Sequence, residues 1–255
     1  MKTVAAIATP IIFIAILLAI WEIGCRAANL PAYLLPPPSA IGKVLVESWP
    51  LLLSSAWNTL LTALVALLVA SLVASSLALL TALSPVIERA VQPLAVTLQV
   101  TPVIAIAPFL VIWAGLEHPE RAVVVAAAVA AFFPIYSGVA TGLKSADPDL
   151  ERLFRLYGAT RLQTLWRLRL PAATPFVLEG HKVGGGLAVI GAVMGEFVAG
   201  SGGSQGLAWR ILEATNRLQT AKAFAALFVL ALMGAGLYAL LQLLEKRALV
   251  WWRGR

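Results

Sequence analysis

The sequence predicts an all-α membrane protein: six transmembrane helices, with a cytoplasmic helix-turn-helix between the fourth and fifth. Three observations predict it. Hydrophobic residues make up 60% of the 255 and charged residues only 12%, against about half and about a quarter in a soluble domain. The few charges leave long uncharged runs between them. The positive charges are unevenly placed, so the runs acquire a direction. Mean hydropathy is +0.90, far too apolar for a disordered chain, and runs this continuous are not the alternating strands of a membrane barrel.

The elements follow from those runs. Lys2 and Glu22 enclose 19 uncharged residues, Glu47 and Glu88 enclose 40, and Arg89 and Glu117 enclose 27. Arg121 to Lys144 and Lys222 to Glu245 each enclose 22. A helix needs about 20 apolar residues to cross a hydrocarbon core, which places spans at 4–22, 57–80, 92–114, 122–142 and 223–244. Ser54, Ser55, Asn58 and Thr59 mark the start of the second, so 48–56 is expected at the interface. A sixth span, fifth in order, covers 175–200 although Glu179, His181, Lys182 and Glu196 punctuate it. The whole, 1–255, reads as a single transmembrane domain. Pro102, Pro108 and Pro134 each interrupt a span and predict kinks.

Orientation comes from the Lys/Arg bias. With the N-terminus inside, 13 of the 19 basic residues fall on the cytoplasmic side and 6 outside, while the 12 acids divide evenly. The net charge of +7 is therefore all cytoplasmic; it reports topology and not nucleic-acid binding. Six spans put both termini in the cytoplasm. Lys2, an apolar run and Ile23-Gly24-Cys25 imitate a lipidated signal peptide, but Glu22 stands where a lipobox wants Leu, and five more spans follow.

Catalytic signatures are missing. The chain has no G-x-x-x-x-G-K-[ST] phosphate loop and no G-x-S-x-G elbow, so it is not expected to be an enzyme. Neither His118 nor His181 has neighbours at metal-ligand spacing, and the lone Cys25 excludes an intrachain disulfide.

The insert 144–171 is the informative segment, with six of the 13 inside charges. Asp147-Pro148-Asp149 starts a helix, with acids at its positive end. Leu150, Leu153, Phe154 and Tyr157 fall on one face, leaving Glu151, Arg152 and Arg155 more exposed, and Gly158 ends it. A second helix carries Leu162, Leu165, Trp166 and Arg167 until Pro171 and Pro175 halt it and open the fifth span. The residues alone leave two readings: an amphipathic hairpin lying in the headgroups, or a helix that docks into a cytoplasmic partner.

Gly158-Ala159 and then Leu168-x-Leu170-Pro171, with the nine residues Ala159 to Arg167 between Gly158 and Leu168, resemble the G-A…I-x-L-P part of the EAA loop of ABC importer permeases. The E-A-A triplet itself is absent: its positions are Arg152, Leu153 and Phe154, with the nearest acid at Glu151. Leu35-Pro36-Pro37-Pro38-Ser39-Ala40, Gln99-Val100-Thr101-Pro102 with Ala107-Pro108, Trp113-Ala114-Gly115, Phe133-Pro134, and Gly195-Glu196 with Gly206-Leu207 resemble, in order, the nitrate, sulfonate and taurine subgroup. The stretch from Gly184 to Glu196 is more similar to members carrying thiamine-pyrimidine precursors or riboflavin.

The resemblance implies the inner-membrane permease subunit of a binding-protein-dependent ABC importer. Its partners would be a second permease copy, ABC ATPase subunits holding ATP and magnesium, and an extracytoplasmic substrate-binding protein; this chain itself would carry no cofactor or metal. Coupling to the ATPase would fall on Asp149, Glu151, Arg152, Leu153, Arg155, Gly158, Ala159, Leu168, Leu170 and Pro171. Cargo would be a neutral heterocycle, otherwise a sulfonate, taurine or nitrate. The rival readings are an ion-gradient-driven carrier or channel, which would more often show an inverted repeat, and a scaffold without a pathway.

Within the spans, Gln99 and Thr101 either face the pathway or satisfy carbonyls that Pro102 frees. The glycines of the fifth span, Gly191 and Gly195 among them, either line a cavity or let helices approach closely. Glu196 is the sharpest intramembrane ionisable group. Counted from Leu178, it stands about 27 Å along a core of about 30 Å, near the outer interface, where a gate, a structural hydrogen bond and substrate contact all remain open. Lys182 and His181, one turn from the cytoplasmic face, are expected to snorkel.

Overall fold

The computed structural model describes residues 2–115, 118–199 and 205–253. Glu117 and the end of the fifth span at Gly200, both used above, and Arg255, one of the 13 cytoplasmic basic residues counted there, lie outside the described residues. Among the described residues every regular element is helical: α1 (Lys2–Ala27), α2 (Pro38–Glu47), α3 (Trp49–Leu83), α4 (Pro85–Val100), α5 (Val103–Ala114), α6 (Pro119–Leu143), α7 (Pro148–Leu156), α8 (Arg161–Thr164), a π-helical turn (Leu165–Arg169), α9 (Leu170–Ala199), α10 (Leu207–Asn216) and α11 (Thr220–Arg253). The protein is an all-α membrane protein, as its composition requires. Four stretches, Trp49–Leu83, Pro119–Leu143, Arg161–Ala199 and Thr220–Val250, are long and apolar enough to cross a membrane. The pair α4–α5 makes up to five, and the run 4–22 lies within α1.

The kink expected at Pro102 is a full break, and the stop expected at Pro171 and Pro175 is corrected. The third span, 92–114, is not one helix: α4 and α5 are bent by 102°, with Thr101 (ψ 121°) and Pro102 (ψ 114°) both extended. Pro102 has no N–H to continue the ladder, and its ring bars Thr101 from the helical region. Pro108 and Pro134 have the same defect, yet lie inside unbroken helices. Nor do Pro171 and Pro175 halt a helix; the chain is helical from Arg161 to Ala199. The π-turn absorbs the mismatch before Pro171, with Leu170 N–H reaching back to Leu165.

Contacts group the chain into two compact units. The first comprises Met1–Ala56 and Gln205–Ala231. There the proline run positions α2, with Pro37 extended as N-cap and Pro38 at the first helical position. Glu22 fastens α1 to it: its carboxylate accepts from Ser39 N (3.0 Å), Ser39 Oγ (2.8 Å) and Arg26 Nε (2.6 Å). Cys25 is buried beside this junction. Trp21 packs on Phe224, ring centroids 5.7 Å apart, and Arg210 Nε donates to the buried Ser55 Oγ at 3.1 Å.

The second unit comprises Trp57–Ser204 and Leu232–Arg255. On α3, Ala63, Ala66, Ala70, Ala74 and Ala78 are buried at helical spacing while Leu64, Leu68 and Leu72 face outward. That is the pattern of a lipid-bathed span, whose close contacts use small residues because lipid is as apolar as leucine. Among the described residues the pair α6–α9 makes the most extensive helix contact, and it too is built from small residues. A Cβ on Gly191 would lie 2.6 Å from Ala127 Cα, a distance no side chain tolerates.

Candidate functional site

The insert after α6 is built from local signals. Asp147 Oδ1 accepts from Asp149 N at 2.8 Å, Pro148 occupies the first helical position, and Asp149 and Glu151 stand in the first turn, where the helix dipole favours them. At the other end, Ala159 N bonds Phe154 O and Gly158 N bonds Arg155 O, each at 3.0 Å. With Gly158 at φ +70°, this pair is a Schellman stop. Thr160 and Gln163 then form a reciprocal capping box that starts α8. The helix-Gly-helix expected from the spacing is thus a corner with both ends capped.

Ion pairs fix the corner to the bundle. Arg169 Nε meets Glu151 Oε1 at 2.7 Å, both half-buried. Lys144 pairs with Glu88 at the start of α4, and Arg161 Nη1 reaches the Leu83 carbonyl at 3.4 Å. The expected faces of α7 are therefore corrected in two respects. Glu151 turns inward toward Arg169, whereas Leu150, Leu153 and Tyr157 of the apolar face stay exposed and only Phe154 is half-buried. Leu156 and Tyr157 are each 84% exposed, and Leu162 and Trp166 of the following turns are exposed too. Arg152 and Arg155 point to solvent, Arg152 beside Asp149 at 3.0 Å. Leu168 and Leu170 are half-buried and Pro171 is exposed.

The intramembrane candidates divide. Gln99 and Thr101 come together in a cleft of about 670 Å³ at the α4–α5 break, walled by α6 and α9. Thr101 Oγ1 donates to Thr97 O at 2.7 Å, within its own last turn. Gly191, Gly195 and Glu196 do not reach that cleft. Gly191 and Gly195 are buried in the α6–α9 seam, facing Ala127 and Val123. Glu196 is 1% exposed and accepts a hydrogen bond from Thr59 Oγ1 at 2.8 Å.

Lys182 is corrected from a snorkelling residue to a paired one. Its Nζ bonds Glu179 and, at 2.9 Å, Glu245 Oε2 on α11, and its side chain is 12% exposed. The i,i+3 spacing of Glu179 and Lys182 was legible; Glu245 was not, since nothing local pairs it with α9. Sequence reasoning also missed Ser137 and Glu179 as cleft-lining residues.

Residues 70–250 match the family model described as binding-protein-dependent transport system inner membrane component. The chain belongs to this family. Curated relatives extend the likeness over almost its full length. The formylaminopyrimidine transport permease of Halalkalibacterium halodurans is 34% identical over 95% of each chain. The riboflavin transport system permease of Chloroflexus aurantiacus is 36% identical, covering 92% of this chain and 87% of its own. The taurine transport system permease of Escherichia coli is 27% identical over 93% and 87%. A binding-protein-dependent inner membrane component is a transport subunit and not an enzyme, which accords with the missing catalytic motifs.

Proposed function

We propose that this chain is the permease subunit of an ATP-driven ABC importer, pairing with a second copy of itself around the pathway. Two ATPase subunits dock on the insert, and an extracytoplasmic binding protein delivers a small neutral heterocycle. Both termini face the cytoplasm, because the basic excess lies on the insert side. The observation that carries this reading is the α7–α8 corner: rigidly capped, ion-paired to the bundle, and presenting Leu153, Leu156, Tyr157 and Trp166 to solvent. Uncovered, that apolar surface would stand in water; a cleft in an ATPase would cover it.

Mechanically, a chain without a nucleotide site takes its energy through this handle. Closure of the ATPase pair moves α7, and the Glu151–Arg169 pair passes the displacement to the start of α9. Because α9 is locked to α6 through close backbone contact, the two move as one body, alternating access by rocking. Cargo is assigned as a neutral heterocycle because two of the similar permeases are named for formylaminopyrimidine and riboflavin transport.

The test uses the reconstituted permease–ATPase complex. Gly158→Pro, which cannot adopt a positive φ, and Leu153→Asp are each expected to abolish binding-protein-stimulated ATP hydrolysis while the permease still inserts. Retained stimulation in both variants overturns the docking role. Uptake driven by a proton or sodium gradient without the ATPase would favour a secondary carrier instead.

A further inference from the structure

The cleft at the α4–α5 break has a chemistry that narrows what passes it. Its volume, about 670 Å³, falls in the range of about 300–1,000 Å³ usual for small-molecule sites. Phe133 on α6 and Phe176 on α9 provide aromatic wall, and Gln99, Thr101 and Ser137 provide hydrogen-bonding groups. Among the described residues that line it, the only ionisable one is Glu179. No Lys, Arg or His among them compensates an anion.

Glu179 is not neutralised in full by its neighbour. Lys182 is shared between Glu179 and Glu245, so one ammonium serves two carboxylates and the group carries a net negative charge. The side chains differ in access: Lys182 and Glu245 are 12% and 14% exposed, whereas Glu179 is 55% exposed. The excess charge is thus presented where a solute can meet it. A carboxylate accepts and does not donate, and its hydrogen bonds to a donor are about twice as strong as neutral ones.

We propose that this cleft is a cargo subsite and that Glu179 selects for a donor edge: a small planar heteroaromatic bearing an amino or ring N–H group, without an anionic group. The ring lies against Phe133 and Phe176, and its donors meet Glu179 and the Gln99 side-chain carbonyl. Sulfonates are repelled, having no cation here to pair with. This assignment rests on the importer reading and specifies its substrate class.

The experiment uses the purified permease–ATPase complex, with radiolabelled formylaminopyrimidine and taurine as probes. Equilibrium binding is measured without binding protein, and ATP-driven uptake is measured in proteoliposomes with it. Formylaminopyrimidine is expected to bind and taurine not. Glu179→Gln and Phe176→Ala are each expected to weaken formylaminopyrimidine binding about tenfold. Glu245→Gln leaves Lys182 to Glu179 alone and so removes the excess charge without touching the cleft; it is expected to weaken binding by less than Glu179→Gln, which also loses the acceptor itself. Equal losses in Glu179→Gln and Glu245→Gln would mean that only the ion pair matters, and would overturn the subsite. So would unchanged affinity in Glu179→Gln, or equal binding of taurine. If instead the wild-type complex shows no ATP-driven uptake of either probe, the importer reading fails for these cargoes, separately from the assignment of Glu179.

Discussion

The indole N–H of Trp252, near the end of α11, donates to the carbonyl of Pro171 at 2.9 Å. In an unbroken helix that carbonyl would receive the N–H of residue 175, but residue 175 is proline and has none. Trp252 therefore supplies the donor that Pro175 withholds, and ties the C-terminal helix to the root of the insert. Trp252→Phe keeps the ring and deletes the donor, so it is expected to cost about 0.5–1.5 kcal/mol. The decisive measurement is a double-mutant cycle by thermal unfolding in detergent. In a Pro175→Ala background the helix regains its own N–H, and the cost of Trp252→Phe should shrink toward zero. An undiminished cost would show that the indole matters for packing alone.

Close approach of α6 and α9 makes a second prediction. At Gly191 the obstacle to a side chain is the Ala127 backbone, which cannot step aside as a flexible side chain could. Gly191→Ala is expected to destabilise by about 1–3 kcal/mol, the usual cost of overpacking. Gly186, on the same helix, has nothing within 4 Å of its added Cβ. Gly186→Ala should be neutral or slightly stabilising, because alanine is the better helix former. Comparing the two melting temperatures separates the seam from general helix propensity.

These two cases show what the sequence could and could not reveal. Spans were legible because charge is so costly in lipid that uncharged runs of about 20 residues have few other uses. The α7 start, the Gly158 stop and the α8 start were legible for a related reason: Asp147, Gly158 and Thr160 act on backbone groups within a turn of themselves. Proline outcomes were not. Pro102, Pro108, Pro134 and Pro175 lack the same N–H, but whether a helix survives depends on who takes the freed carbonyl, and Trp252, which takes the one Pro175 frees, is remote in sequence from it. The direction of α7 was hidden too. An apolar stripe at helical spacing reads alike whether its own chain covers it or another protein does, and the Glu151–Arg169 pair that turns the helix over spans no local repeat. Gln99 and Thr101 were found because polar groups inside a span stand out; nothing local to Glu179 shows that it borders a cleft opened by the break at Thr101 and Pro102.

On the first unit, electrostatics give a prediction with a definite sign. The Arg210 guanidinium hydrogen-bonds Glu213 at 3.0 Å, and Arg217 approaches from the other side, also at 3.0 Å. The Arg210 hydrogen bond foremost, with the Arg217 charge adding to it, holds the Glu213 carboxyl below its ordinary value against the opposing effect of burial. A carboxylate whose folded pKa lies below its unfolded one stabilises the fold fully above the unfolded value, about 4.3. That contribution fades as pH falls through the lowered folded value, because the unfolded chain binds the proton first. Melting temperature should therefore drop between about pH 5 and pH 3 more steeply in the wild type than in Glu213→Gln. Arg210→Met should flatten the profile in the same way, and should additionally remove the donor to Ser55, lowering stability across the whole range. Parallel pH profiles for the wild type and Glu213→Gln would refute the assignment of this carboxylate as an acid-labile tie in the first unit.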